Sequence, residues 1–186
     1  MTVTALDPKT ALIVIDLQKG LVSLPAIHPI EGVVMHVSTM AAAFREQGLP
    51  VVLVNVAGAP AVRTEQPRRN HVLPEGWADL IPELNRQTQD HVVTKYTPGA
   101  FTKTDLEAHL QALGVTQIVM TGIATSNGVE VTARQAYELG FNITFAIDAM
   151  TDVDAAAHSY SVTRVFPKIG ETGKTGEILA LLNRGA

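Results

Sequence analysis

Apolar positions in this chain fall into two kinds of spacing, and the two alternate. Short continuous runs at 11–17, 51–56, 91–95, 118–121 and 143–147 have the length and β-branched content of strands buried on both faces. Between them, apolar residues recur at helical spacing. Val33, Val34, Val37, Met40, Ala41 and Phe44 mark a helix over 31–47, stopped by Gly48 and Pro50. Thr104 and Glu107 have capping-box spacing and open a helix with Leu106, Leu110 and Leu113 on one face and Gly114 at its stop. A third helix runs from 129 to 139, with Val129, Ala133, Ala136, Tyr137 and Leu139 as its stripe and Gly140 as its end. The spacing also predicts a short helix over 77–84, one that Asp154 opens and Pro167 ends, a short strand near 168–169 and a closing helix over 175–182. Strand–helix alternation with no internal repeat implies a three-layer α/β/α domain around a mainly parallel sheet of about six strands, in the Rossmann-like manner.

Composition narrows the classes. A chain of 186 residues that is 46% hydrophobic fits one globular domain spanning 1–186. A net charge of −4 with only 17% charged residues gives no nucleic-acid footprint and no basic membrane patch. No apolar run approaches the roughly 20 residues of a membrane span. The first ten residues lack the basic start and apolar middle of a signal peptide, so a cytoplasmic location is expected. The chain has no cysteine, which excludes disulfides, thiolate metal sites and thiol catalysis.

The candidate chemistry sits where strands end. Asp16 interrupts the first apolar run, and an acid there is costly unless it is paired or useful; it either caps a loop or serves a ligand at the carboxyl edge of the sheet. Lys95 closes the third strand in the same way, as a solvated strand end or as a cation that keeps a nearby carboxylate charged. After the fourth strand the pattern breaks at Gly122 into small and polar residues, Ala124, Thr125, Ser126, Asn127 and Gly128, before the next helix. Such a turn aims free N–H groups at whatever lies above the strands, or is simply a strand–helix connection. The loop 57–76 carries Arg63, Arg68, Arg69 and His71. Arg63 suits a substrate carboxylate, and Arg68 and Arg69 read equally well as solvated surface. Ser126, Asp148 and His158 occur in the chain order of α/β-hydrolase triads, with Ala124 to Gly128 as a loose nucleophile elbow.

These residues carry a resemblance. The stretch GIATSNGVEVTARQAYELG, with Asp16 in ALIVIDLQ, Lys95 in HVVTKYTPGAFTKTDL and the DAMTD segment from Asp148, is similar to the isochorismatase-like hydrolases. The resemblance implies that Asp16 is the catalytic acid, Lys95 its lysine partner and Gly128 the position that most members fill with a cysteine nucleophile. It implies oxyanion donors at the amides of Ala124 and Gly128, and a cis peptide at Ile123–Ala124. Ile123, Ala124, Asn55, Arg63 and Phe101 are expected to bind a small-molecule substrate, with Phe101 walling the pocket. Metal-dependent relatives carry Asp-x-His after the second strand; here that segment reads NVAGAP and His71 stands alone, so no metal and no other cofactor is expected. Glycine cannot attack, so the resemblance points to non-covalent acid catalysis by Asp16 on a carboxylate-bearing substrate, through a vinyl ether or a C–N or C–O bond. A non-catalytic relative that binds a small molecule or partner is the alternative. A homo-oligomer, a dimer or higher, is expected, with no nucleic-acid or membrane partner.

Overall fold

The computed structural model describes residues 3–65 and 73–184. Six strands form one sheet: β1 (Thr10–Ile15), β2 (Val51–Val56), β3 (His91–Lys95), β4 (Gln117–Ile123), β5 (Asn142–Thr151) and β6 (Glu171–Gly173). Every pairing is parallel, in the order β3-β2-β1-β4-β5-β6. The chain builds outward from β1 to β3, then returns to the centre and builds the other way from β4. The carboxyl ends of β1 and β4 therefore flank the point where strand order reverses, the usual ligand crevice of such sheets.

The two faces result from the alternation along β1. Ala11, Ile13 and Ile15 pack with helices α3 (Leu106–Ala112) and α4 (Glu130–Glu138), through Leu106, Leu110 and Ala133, and with Val129 just before α4. Leu12 and Val14 face α2 (Ile30–Glu46) and α7 (Thr175–Leu182), through Val37, Met40, Phe44 and Ile178. The remaining α-helices are α1 (Lys19–Val22), α5 (Ala155–Tyr160) and α6 (Phe166–Ile169), with a π-helical turn over Ser161–Val165 joining the last two. No described helix is long and apolar enough to cross a membrane.

Several elements differ from the pattern's prediction. The helix over 77–84 shrinks to one 3₁₀ turn, Pro82–Leu84. Ile81 precedes a proline and is held extended at φ −70°, ψ 143°, which bars a helix running through it. Leu80 instead bridges Gln18. The N-cap of α3 is Asp105, whose side chain makes no capping bond; the Thr104 hydroxyl donates to Ala100 O and accepts from Leu106 N at 3.4 Å, and Leu113 is exposed. Tyr137 and Leu139 are exposed as well, since α4 begins only at Glu130, after a π-helical turn over Thr125–Val129. Asp154 opens α5 as expected, accepting from the amides of Ala156 and Ala157. Pro167 does not end that stretch but sits in the first turn of α6, where its missing N–H costs nothing. The last strand lies at Glu171–Gly173 rather than 168–169. β5 runs past Asp148, through a register shift opposite Met120 to Gly122, so Asp148 lies within the strand.

Candidate active site

Asp16 comes directly after the last residue of β1, in the left-handed region at φ 54°, with its amide donating to Val54 O at 2.9 Å. Lys95 is the last residue of β3. Strand β2 lies between them, leaving a gap of roughly 10 Å between strand axes. A long side chain can bridge that gap, and Lys95 Nζ reaches Asp16 Oδ2 at 2.8 Å. Both groups are buried, at 4% and 1% exposure. Nζ also donates to Pro98 O at 2.6 Å. The other carboxylate oxygen, Asp16 Oδ1, is buried without a hydrogen-bond partner. The Asp16 carboxyl is pushed up to about 6, because burial outweighs the charge and hydrogen bond of Lys95, which act to lower it.

That shift has a sign for stability. The folded carboxyl holds its proton more tightly than the unfolded one, whose ordinary value is 3.8. Its contribution is therefore complete below the unfolded value and is lost as pH rises through about 6. At about 1.4 kcal/mol per unit, the loss is about 3 kcal/mol. Urea unfolding of wild type and Asp16→Asn should show the difference between them shifting against wild type by that amount from pH 3 to pH 7.

The turn after β4 meets this pair. Gly122 stands at φ +113°, and any Cβ there would collide with Ile15 O, so the close approach of β4 to β1 requires glycine. Gly122→Ala should cost about 3 kcal/mol in chemical denaturation, since the obstacle is backbone. The Ile123–Ala124 peptide is cis. Asp152, 2% exposed, anchors the start of the turn from β5: its Oδ2 accepts from Ser126 N and Oγ, both at 2.7 Å, and its Oδ1 from the amides of Val153 and Asp154. Thr132 Oγ1 donates to Gly128 O at 2.7 Å. Gly128 is thereby set against the pair. A Cβ built on it would lie 3.0 Å from Asp16 Oδ2 and 3.3 Å from Lys95 Nζ.

Above these three residues is a cavity of about 330 Å³, at the small end of ligand sites. Asp16, Lys95, Ala124 and Gly128 line it together with apolar walls that include Leu21, Val56, Pro60 and Ile123, and Leu24 and Val153 stand exposed at its edge. A groove beside α2 is larger, at about 590 Å³, but its only ionisable lining residues are Glu31 and Glu83. Chemistry rather than size singles out the cavity over Asp16. Gln18, fully buried, holds its wall: Nε2 donates to Val56 O and Oε1 accepts from Val56 N.

Asp16, Lys95, Gly128, Ile123 and Ala124 thus come together. Three other expected binding residues do not reach the cavity. Asn55 is occupied as a brace, donating to Ala78 O and accepting from Thr94 Oγ1. Phe101 turns into the core against Phe141, at 6.0 Å between rings, and is no pocket wall. Arg63 is exposed and outside the lining. Arg68, Arg69 and His71 lie outside the described residues. The serine triad is not assembled: Ser126 Oγ donates to Asp152, His158 Nδ1 pairs with Thr125 Oγ1 at 2.9 Å, and Asp148 Oδ1 accepts from Thr175 N and Oγ1. Among the described residues, no group of three or more His, Asp or Glu side chains is placed to hold a metal. Gln18 directly follows the apolar run 11–17 and was given no role from the sequence, and Asp152, the last residue of the DAMTD segment, was given none of its own.

The Isochorismatase domain matches residues 10–177. The chain belongs to the isochorismatase family. An uncharacterized isochorismatase family protein of Bacillus subtilis is 39% identical over 178 residues, covering 92% of this chain and 93% of that one. A solved isochorismatase family protein from Burkholderia thailandensis superposes with a TM-score of 0.92 at 40% identity, over 96% of this chain and 98% of the other. The ureidoacrylate amidohydrolase of Variovorax paradoxus is 29% identical over 178 residues, covering 80% of this chain and 71% of its own. At this level the chain is a hydrolase of the isochorismatase family, with the family's α/β sheet and, within it, no cysteine.

Proposed function

We propose that this hydrolase cleaves a small substrate by non-covalent acid catalysis, with Asp16 as the proton donor and water as the nucleophile. The observation that carries the reading is the state of Asp16: buried, pushed up to about 6, held through Oδ2 by Lys95 and left with Oδ1 unpartnered at a cavity wall. A carboxyl tuned to that range keeps a protonated fraction near neutrality, where a general acid works best. Oδ1 is the oxygen free to carry the transferred proton. Lys95 stabilises the carboxylate left behind, and Asp16 recovers its proton from the attacking water as the water oxygen bonds to the substrate. Gly128 lines the cavity beside the pair and brings no nucleophile, so water and substrate meet there without an acyl intermediate. For an amide or ester, the amides of Ala124 and Gly128 are the proposed donors for the negative charge that develops on the carbonyl oxygen when water adds. Bonds that break readily once an oxygen or carbon is protonated, vinyl ethers above all, fit this chemistry, with C–N and C–O bonds next.

The test is the pH dependence of kcat/KM. An acid of this kind makes the rate fall tenfold per pH unit above about 6. A rate that rises through the same range would make Asp16 a base instead. Absence of turnover on vinyl ethers, amides and esters, with tight ligand binding, would favour a binding protein in place of an enzyme.

A further inference from the structure

Lys95 is the sole cation among the described residues lining the cavity, and its charge is already committed to Asp16 Oδ2 and Pro98 O. The remaining walls are apolar apart from Thr97 and Asn127, and the Thr97 hydroxyl donates to Gly99 O. A carboxylate carried to the floor would face Asp16 with no second cation among the described lining residues to balance it. Removing an anion from water without a partner costs far more than removing an amide that finds one hydrogen bond. Asp16, which lines the cavity and whose Oδ1 has no hydrogen-bond partner, offers that one bond. Arg63, expected to receive a substrate carboxylate, stands outside the lining.

We propose that the cavity takes an uncharged molecule, with an apolar body against Leu21, Val56 and Ile123 and one hydrogen-bonding group at Asp16 Oδ1, in preference to a carboxylate-bearing one. The inference rests on the reading of Asp16 as the reactive floor of the site and narrows its substrate class. Asn127, the exposed residue beside Gly128 on the cavity lining, is placed to hold a second polar group at the mouth. A carboxylate can enter only when Asp16 takes up a proton and leaves Lys95 as its counterion. Its affinity therefore weakens as pH rises past about 6, while that of an amide does not.

A matched pair of probes tests this: cyclohexanecarboxamide and cyclohexanecarboxylate, titrated calorimetrically into the whole protein at pH 8. The amide should bind at least tenfold more tightly. In Asp16→Asn, which frees the charge of Lys95, the order should reverse, with the carboxylate gaining at least tenfold. A carboxylate equal to or tighter than the amide in wild type would overturn the proposal, as would failure of both probes to bind or an unchanged order in Asp16→Asn. No turnover enters the measurement. The substrate class can thus fail while the pH–rate profile upholds Asp16 as the acid, and the reverse outcome is equally visible.

Discussion

Asp16→Asn should abolish hydrolysis while leaving the chain folded. The substitution preserves shape, so the side-chain oxygen can still accept from Lys95, now 2.8 Å from Oδ2. What disappears is the transferable proton. Removing a general acid lowers the rate by about 10²- to 10⁴-fold, equivalent to about 3–5 kcal/mol of barrier. The fold cost has two opposed parts. Burial no longer strains a carboxyl, but Lys95, at 1% exposure, keeps its charge with only Pro98 O and a neutral amide beside it. Circular dichroism together with kcat on the same substrate separates the outcomes. A folded variant with near-normal kcat would remove Asp16 from the chemistry.

Gly128→Cys is the second large effect expected. The added Cβ would lie 3.0 Å from both Asp16 Oδ2 and Ile15 Cγ2, and 3.3 Å from Lys95 Nζ. These contacts are tight, and small adjustments of side chains have to absorb them. The thiol then sits beside a buried cation, which favours thiolate, and beside a carboxylate able to take its proton. Alkylation by iodoacetamide at pH 7, read by intact-protein mass spectrometry, should run at least tenfold faster than that of a free thiol such as glutathione. The chain's lack of any other cysteine makes the readout unambiguous. Gly128→Cys combined with Lys95→Met should lose the acceleration. An ordinary rate in the single variant would show that the cation does not act on this position.

The pattern of apolar residues was sufficient for the sheet and its main helices, because strands buried on both faces leave little freedom in the sequence. Leu12 and Val14 must meet one layer while Ile13 and Ile15 meet the other. Asp16 and Lys95 were legible for the same reason, as charges that break apolar runs at strand ends. Features that depend on tertiary partners were hidden. Phe101 faces the core because Phe141 is there, not because of anything within PGAF. The reach of Asp152 to Ser126 spans 26 positions and joins β5 to the turn after β4. The lengthened β5 reflects a shift in register against β4, which no local spacing announces. Pro82 was the exception: its effect on Ile81 is local, and the helix predicted over 77–84 ignored it.

The central claim concerns one proton, and it can be observed without a substrate. Protein labelled with ¹³C at aspartate carboxyls, titrated by NMR against Asp16→Asn to assign the resonance, reports the ionisation of Asp16 alone. A midpoint at about 6, well above the ordinary 3.8, is the expected result. A midpoint at or below 3.8 would mean that Lys95 outweighs burial, that Asp16 is a permanent anion at working pH, and that it cannot be the acid.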